Sequence, residues 1–287
     1  MTVIDDVRAY YEINSHRFER FGQGGGAIHR AVWGEGVRTR EAAFRYVDEL
    51  IARELASITS RGGSVHVLDL GCGVGASLLF LASRANIRGT GATLSRAQAT
   101  RARERARSGG LDPRVTFLEA NFLELPSDVP KAELAFSIEA FIHGPDPRAY
   151  FEAASRYLVP GGALVVCDDF LTSAGRAASS ERERRLLDDV RRGWLANTLV
   201  TTAEAGALAT SAGLTLRENL DLTPFLELDR PRDRLIAALV ALGRRLPVEP
   251  RGFGWRSLVG GRALQAALGA GLVEYRFLVW QRRGSSA

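Results

Sequence analysis

The chain has 287 residues, 46% hydrophobic and 25% charged, an ordinary balance for a globular protein with a sizeable core. No run of eighteen apolar residues occurs, which argues against a membrane span, and the mixed, charged N-terminus lacks the apolar stretch of a signal peptide. The net charge of +5 invites a nucleic-acid reading, but the basic residues are arginines scattered among acids, with Lys131 the lone lysine, and no basic stripe or added RNA-binding module is visible. Cys72 and Cys167 make no disulfide framework and suit a cytoplasmic protein.

In chain order, residues 1–60 read as helices around a glycine-rich break, FGQGGGAIHRAVWGEG at 21–36. TREAAFRYVDELIARELASI spaces its apolar residues as a helix and stops at Gly62-Gly63. From 64 to 170 the pattern alternates. SVHVLDL, NIRGTGAT, RVTFLEA, AELAFSI and GALVVCDDF are short apolar runs bounded by Gly, Pro or polar clusters. Helical segments separate the first four, and YFEAASRYL leads to the fifth through VPGG at 159–162. Strands alternating with helices predict an α/β fold with a parallel, doubly wound sheet. Beyond 171, ERERRLLDDVRRGWL (181–195) reads as a lid helix and TTAEAGALATSAG (201–213) as a helix ended by Gly213. LTLRENLDLT and YRFLVWQRR read as the last two strands. The roughly fifty residues between them are too many for a hairpin loop, so further lid helices are expected there. The predicted organisation is an N-terminal helical lid over 1–60, a core over 61–223 that includes the lid helix 181–195, a helical insertion over 224–272, and a last strand and tail over 273–287.

VLDLGCGVGASLLFLA (67–82) runs a strand into Gly71-x-Gly73-x-Gly75 and then a helix, a turn that lets a ligand approach the backbone. The spacing is not G-x-G-x-x-G, and no ribose-binding acid stands about twenty residues further on, which argues against a dinucleotide enzyme. The stretch Asp69–Gly75, D-x-G-C-G-x-G, resembles motif I of the class I S-adenosylmethionine (SAM) dependent methyltransferases. FLEANFLELP (117–126) resembles that family's adenine-clamping segment, and LVPGGALVVCDDF (158–170) its fifth-strand signature. The resemblance implies a Rossmann-like fold with a seven-stranded, mostly parallel sheet and helical lids at both ends. It also implies a SAM site built from Asp69, Gly71, Cys72, Gly73, Gly75, Thr93, Leu94, Gln98, Asn121, Phe122 and Ser137. T-L-S-x-x-Q at 93–98 is similar to one branch, with cyclopropane-fatty-acid, tocopherol-type, sterol and prenyl diphosphate methyltransferases, in which Thr93 and Gln98 would serve the ribose. Asn121 stands where an Asp is more usual and would face the adenine amino group; an Asx turn is its alternative role.

Ligands in an open α/β sheet lie beyond the carboxyl ends of the strands. That aims Glu139 and His143, in SIEAFIHGPDP (137–147), at the substrate mouth as proton acceptors. Their alternatives are ordering the cofactor loop, for Glu139, and a structural role, for His143. Tyr10, Tyr11, Asn14, Arg17, Phe18, His29, Arg30 and Trp33 would suit a ligand with an anionic head and an apolar body, and their rings could hold a cation. Tyr10, Tyr11, Arg17, His29, Arg30 and Trp33, with Phe141, Phe170 and Trp194, form the expected substrate set; lid core is the alternative. Asp168 and Asp169 offer oxygens to Mg²⁺, which a diphosphate would want, or else cap the strand end.

The whole pattern is similar to geranyl diphosphate C-methyltransferases. The resemblance implies methylation of an alkene carbon of an anionic isoprenoid, a prenyl diphosphate, through a carbocation that Glu139 deprotonates, with cyclisation as a variant. Alternatives are O-, N- or aromatic C-methylation of another small natural product, RNA methylation, and a binding protein that has lost the chemistry. The expected partner is a small molecule rather than nucleic acid, and a homo-oligomer stays open.

Overall fold

The computed structural model describes residues 3–21, 29–60, 62, 65–245 and 252–284, without the side chains at 13–21 and 253. The strands are β1 (His66–Leu70), β2 (Arg88–Thr93), β3 (Val115–Glu119), β4 (Ala132–Ile138), β5 (Leu158–Leu171), β6 (Leu214–Asp221) and β7 (Val273–Arg282). They join one sheet in the order β3-β2-β1-β4-β5-β7-β6. β1 to β5 pair in parallel, and β7 inserts antiparallel between β5 and β6. All seven predicted strands are present. β5 begins earlier than the sequence suggests, running through Val159-Pro160-Gly161-Gly162, with a register shift opposite Ala132 and Leu134.

The helices are α1 (Val3–Phe21), α2 (Arg40–Thr59), α3 (Ala76–Arg84), α4 (Arg96–Ser108), α5 (Pro147–Tyr157), the single turn α6 (Ser173–Arg176), α7 (Glu181–Trp194), α8 (Thr202–Ser211), α9 (Pro231–Gly243) and α10 (Phe253–Gly269). The period-two alternation of strand residues divides the core. Val67, Leu134, Phe136 and Val165 join the core on one face with Leu50 and Ile51 of α2 and Leu78 of α3. Leu68, Ala135, Leu164 and Val166 join the other with Tyr150 and Phe151 of α5 and Ala205 of α8. Each such large side chain contributes about 1.5–3 kcal/mol on full burial.

Local chemistry sets the helix starts. Thr39, Ser95 and Asp146 cap α2, α4 and α5, and Ser180–Glu183 and Thr201–Glu204 close reciprocal capping boxes on α7 and α8. α9 and α10 fill the long stretch between β6 and β7. α7 meets α10 backbone to backbone: a Cβ added at Gly193 would lie 2.6 Å from Gly260 Cα. The 29–33 segment is tied down by a bridge between Val32 and Leu226 and by the Trp33 N–H, which donates to the Phe225 carbonyl at 2.7 Å. Among the described residues no helix is long and apolar enough to cross a membrane.

Candidate active site

The β1–α3 turn forms the floor of a pocket at the carboxyl edge of the sheet. Gly71, Gly73 and Gly75 have φ of 99°, 51° and 77°, in the left-handed region that side chains disfavour. Two of them are glycine for packing as well. A Cβ at Gly71 would collide with the Ala140 side chain, and one at Gly75 would lie 2.6 Å from the Phe117 ring. Asp69, Gly71, Cys72, Gly73, Thr93, Leu94, Gln98 and Phe122 line the pocket, joined by Val74, Ala76, Ser77 and Ser95. Burial, with nearby Asp48, pushes the Asp69 carboxyl well above its ordinary pKa.

The end of β2 is a small hydrogen-bonded unit. Thr93 Oγ1 donates to Gln98 Oε1 at 2.8 Å and accepts from the Ser95 N–H. Ser95 Oγ caps α4 at Gln98 N and donates to Glu12 Oε1 of α1 at 2.8 Å. Glu12 thereby ties the N-terminal helix over the pocket, and Val7, Tyr10 and Tyr11 complete that wall. Gln98 Nε2 is buried and has no partner among the described residues.

Glu139 follows β4 with φ of 51°, a left-handed conformation that costs a non-glycine residue on the order of 1–3 kcal/mol and often marks a functional position. Its Oε1 accepts from the Arg30 N–H at 2.9 Å and from the Tyr275 hydroxyl at 3.0 Å. Among the described residues Oε2 takes no hydrogen bond. His143 sits edge-on to Tyr11, with centroids 5.5 Å apart, and its Nδ1 bonds the Leu195 carbonyl at 3.1 Å. A carbonyl only accepts, so Nδ1 carries the proton and Nε2 keeps its lone pair. Burial lowers the His143 pKa to about 4, so the ring is neutral near pH 7.

Glu139, His143, Tyr10, Tyr11, His29 and Trp194 all line the pocket. Several expected residues do not. Phe141 and Phe170 are fully buried and stack with centroids 5.7 Å apart, within the same core as Tyr150 and Phe151; they are core rather than substrate wall. Trp33 packs with Ala31 and Phe44. Ser137 is buried and shares a 2.7 Å hydrogen bond with the Tyr150 hydroxyl. Asn121 Oδ1 accepts from the Leu123 N–H at 3.0 Å, the Asx turn that was the alternative, and does not line the pocket. Gly75 caps α3 behind the wall. The side chains of Asn14, Arg17 and Phe18 lie outside the described residues.

Arg30 does not present its cation to the pocket. Its guanidinium grips Asp169 with two bonds of 2.6 and 2.5 Å and lies 4.8 Å from the Tyr275 ring centroid. Burial works against that cation, but Asp169 and Glu139 outweigh it and raise the pKa. Asp168 is committed too, its two oxygens accepting from the Ile142 and Asp169 N–H groups. Neither Asp is a free metal ligand, and among the described residues no group of three or more His, Cys, Asp or Glu could hold an ion. Tyr275, Glu12 and Asp48 escaped the sequence reading; Tyr275 and Asp48 sit in ordinary strand and helix patterns, and only Ser95, inside T-L-S-x-x-Q, carried a usable signal.

Residues 67–162 match a family model described as a methyltransferase domain. That match takes in about a third of the chain, and with the relatives that follow it supports a class I SAM-dependent methyltransferase. It is 32% identical over 162 residues to 27-O-demethylrifamycin SV methyltransferase of Amycolatopsis mediterranei, covering 55% of this chain and 58% of that one. It is also 32% identical over 185 residues to 24-methylenesterol C-methyltransferase 2 of Oryza sativa subsp. japonica, covering 64% and 50%. The chain thus spans between half and three fifths of the length of these two relatives. A geranyl diphosphate C-methyltransferase structure from Streptomyces coelicolor A3(2) shares the fold, with a TM-score of 0.67 at 18% identity over 98% of each chain.

The pocket fits SAM. The unpartnered Gln98 Nε2 is a buried donor suited to a ribose hydroxyl, and the Gly71–Gly73 backbone forms an open floor beside Asp69 and Phe122. When bound, SAM supplies an activated methyl group on a sulfonium sulfur.

Proposed function

We propose that this chain transfers a methyl group from SAM to a small, largely apolar acceptor, with Glu139 as the proton acceptor. The observation that carries this reading is the placement of Glu139 and His143 in one pocket with the Gly71–Gly73 floor, walled by Tyr10, Tyr11, Phe122 and Trp194. These residues align the acceptor and exclude water, while Glu139 takes the proton that leaves.

For the acceptor we propose the alkene of an isoprenoid. Aromatic rings and a carboxylate suit developing positive charge, and no arginine or lysine lines the pocket among the described residues to oppose it. The same fact weakens the diphosphate head: Arg30 is engaged by Asp169, and Asp168 and Asp169 are unsuited to Mg²⁺. A neutral isoprenoid alcohol or ring compound is therefore preferred to a prenyl diphosphate. Hydroxyl methylation is the second reading, favoured by the lone pair left on His143 Nε2.

The test is an assay with SAM against prenyl diphosphates of five to twenty carbons, with and without Mg²⁺, alongside their free alcohols, sterols and phenolic or macrocyclic natural products, reading S-adenosylhomocysteine release and product mass. A methylated alkene on an uncharged acceptor supports the reading. Turnover only on diphosphates with metal overturns the preference for a neutral acceptor, and a methyl ether replaces it with the second reading.

A further inference from the structure

Two segments far apart in sequence, at Arg30 and Tyr275, converge on one oxygen of Glu139. Oε1 accepts from the Arg30 backbone N–H and the Tyr275 hydroxyl, and the Arg30 Nε stands 3.9 Å from it. Asp169, paired across the strands with Tyr275, fixes the guanidinium by two bonds. The Tyr275 ring lies under that guanidinium while its hydroxyl holds the carboxylate. Arg30 and Tyr275 thus brace each other as well as Glu139. Arg30 arrives on the 29–33 segment, whose place depends on the Val32–Leu226 bridge.

We propose that Arg30 and Tyr275 are positioning residues that hold Glu139 by Oε1, leave Oε2 as the oxygen open to the acceptor, and complete the base only when the 29–33 segment is docked on the sheet. This rests on Glu139 being the proton acceptor of the proposed methyl transfer. It gives Arg30 a role other than clamping an anion. It also explains how Glu139 keeps a left-handed backbone: its N–H donates to the Cys167 carbonyl at 2.8 Å while its side chain is held from two further directions.

The groups facing Glu139 are Tyr11 of α1, Arg30, His143, Cys167, Asp168 and Asp169 of β5, and Tyr275 of β7. Among these, Arg30 and Tyr275 donate to its carboxylate. A carboxylate that loses a donor or a neighbouring cation is harder to ionise.

The experiment uses the full chain, with glutamates ¹³C-labelled at the side-chain carboxyl and S-adenosylhomocysteine as the bound probe. The Glu139 resonance is assigned by its loss in Glu139→Gln and followed against pH. Tyr275→Phe is expected to raise the midpoint by about one pH unit. Arg30→Met raises it further, and Arg30→Lys, which returns the charge without the two-pronged grip, falls between Arg30→Met and wild type. Because Arg30→Met strands the buried Asp169, the double variant Arg30→Met/Asp169→Asn keeps the test readable should the single one fail to fold. On a turned-over acceptor, kcat falls with KM unchanged, and the acid limb of the rate profile moves up with the midpoint. Midpoints equal to wild type in Tyr275→Phe and the double variant, with S-adenosylhomocysteine binding intact, overturn the inference alone. A wild-type protein that binds no S-adenosylhomocysteine overturns the proposed function itself.

Discussion

The two halves of the pocket are built differently. The half that fits the cofactor is local, with a backbone floor: one glycine turn after β1 and one short hydrogen-bonded unit after β2, within residues 69–98. The half proposed for the acceptor depends on side chains brought from far apart: Tyr11, Glu139 and His143 line it, and Arg30, Asp169 and Tyr275 brace Glu139, so that its first and last members stand 264 positions apart. A backbone site tolerates change poorly at a few glycines and is otherwise robust. A side-chain site is distributed, so each member acts through its neighbours and single changes shift function by degrees.

That contrast can be broken most sharply at Gly73. Its φ of 51° disfavours a side chain, and a large one on the pocket floor would fill the space a ligand takes. Gly73→Arg is expected to abolish SAM binding. Wild type should gain about 2.7 kcal/mol of stability at a hundredfold excess of SAM over Kd, and the variant none; a retained shift would remove the cofactor site from this turn.

Phe141→Ala comes next. As a core residue it should cost about 3–5 kcal/mol of stability in denaturant unfolding, whereas a substrate-wall residue would raise KM and leave stability nearly untouched. Glu139→Gln should lower kcat by about a hundredfold or more while S-adenosylhomocysteine binds as tightly as before. A fully active variant would pass the proton to His143 or to water.

Within the cofactor half, Gln98→Leu removes the orphaned donor and its bond to Thr93. Calorimetry should show SAM binding weakened by about tenfold, the worth of one well-placed hydrogen bond; unchanged affinity would mean the amide serves only the turn. The effect most confined in pH belongs to His143. Its folded-state pKa of about 4 lies below the ordinary 6.5. The unfolded chain therefore takes up that proton first, and stability falls as pH drops from 6.5 towards 4. Unfolding free energies across this window should show His143→Gln lacking that contribution, which is at most about 1.4 kcal/mol per pH unit.

The strands and most helices were legible because each follows from local pattern. HVLDL is a short, mostly apolar run between breakers, and Ser180–Glu183 is a capping box written in four residues. Aromatic residues were the weak point. Phe141 stands next to the pocket residue Ala140, yet it is fully buried, and only the direction of the side chain separates core from wall. Arginine misled for a related reason: composition shows a cation, not whether a carboxylate such as Asp169 already holds it.

By itself the sequence determined the fold class, the glycine turn and the T-L-S-x-x-Q unit, because backbone conformation and hydrogen bonding over a few residues depend on those residues alone. Only the tertiary structure decided that Arg30 faces Asp169, that Tyr275 reaches Glu139, and that Gln98 keeps an open donor. Such pairings depend on which strands lie side by side and how far chain segments fold back, and nothing local in the chain encodes those distances.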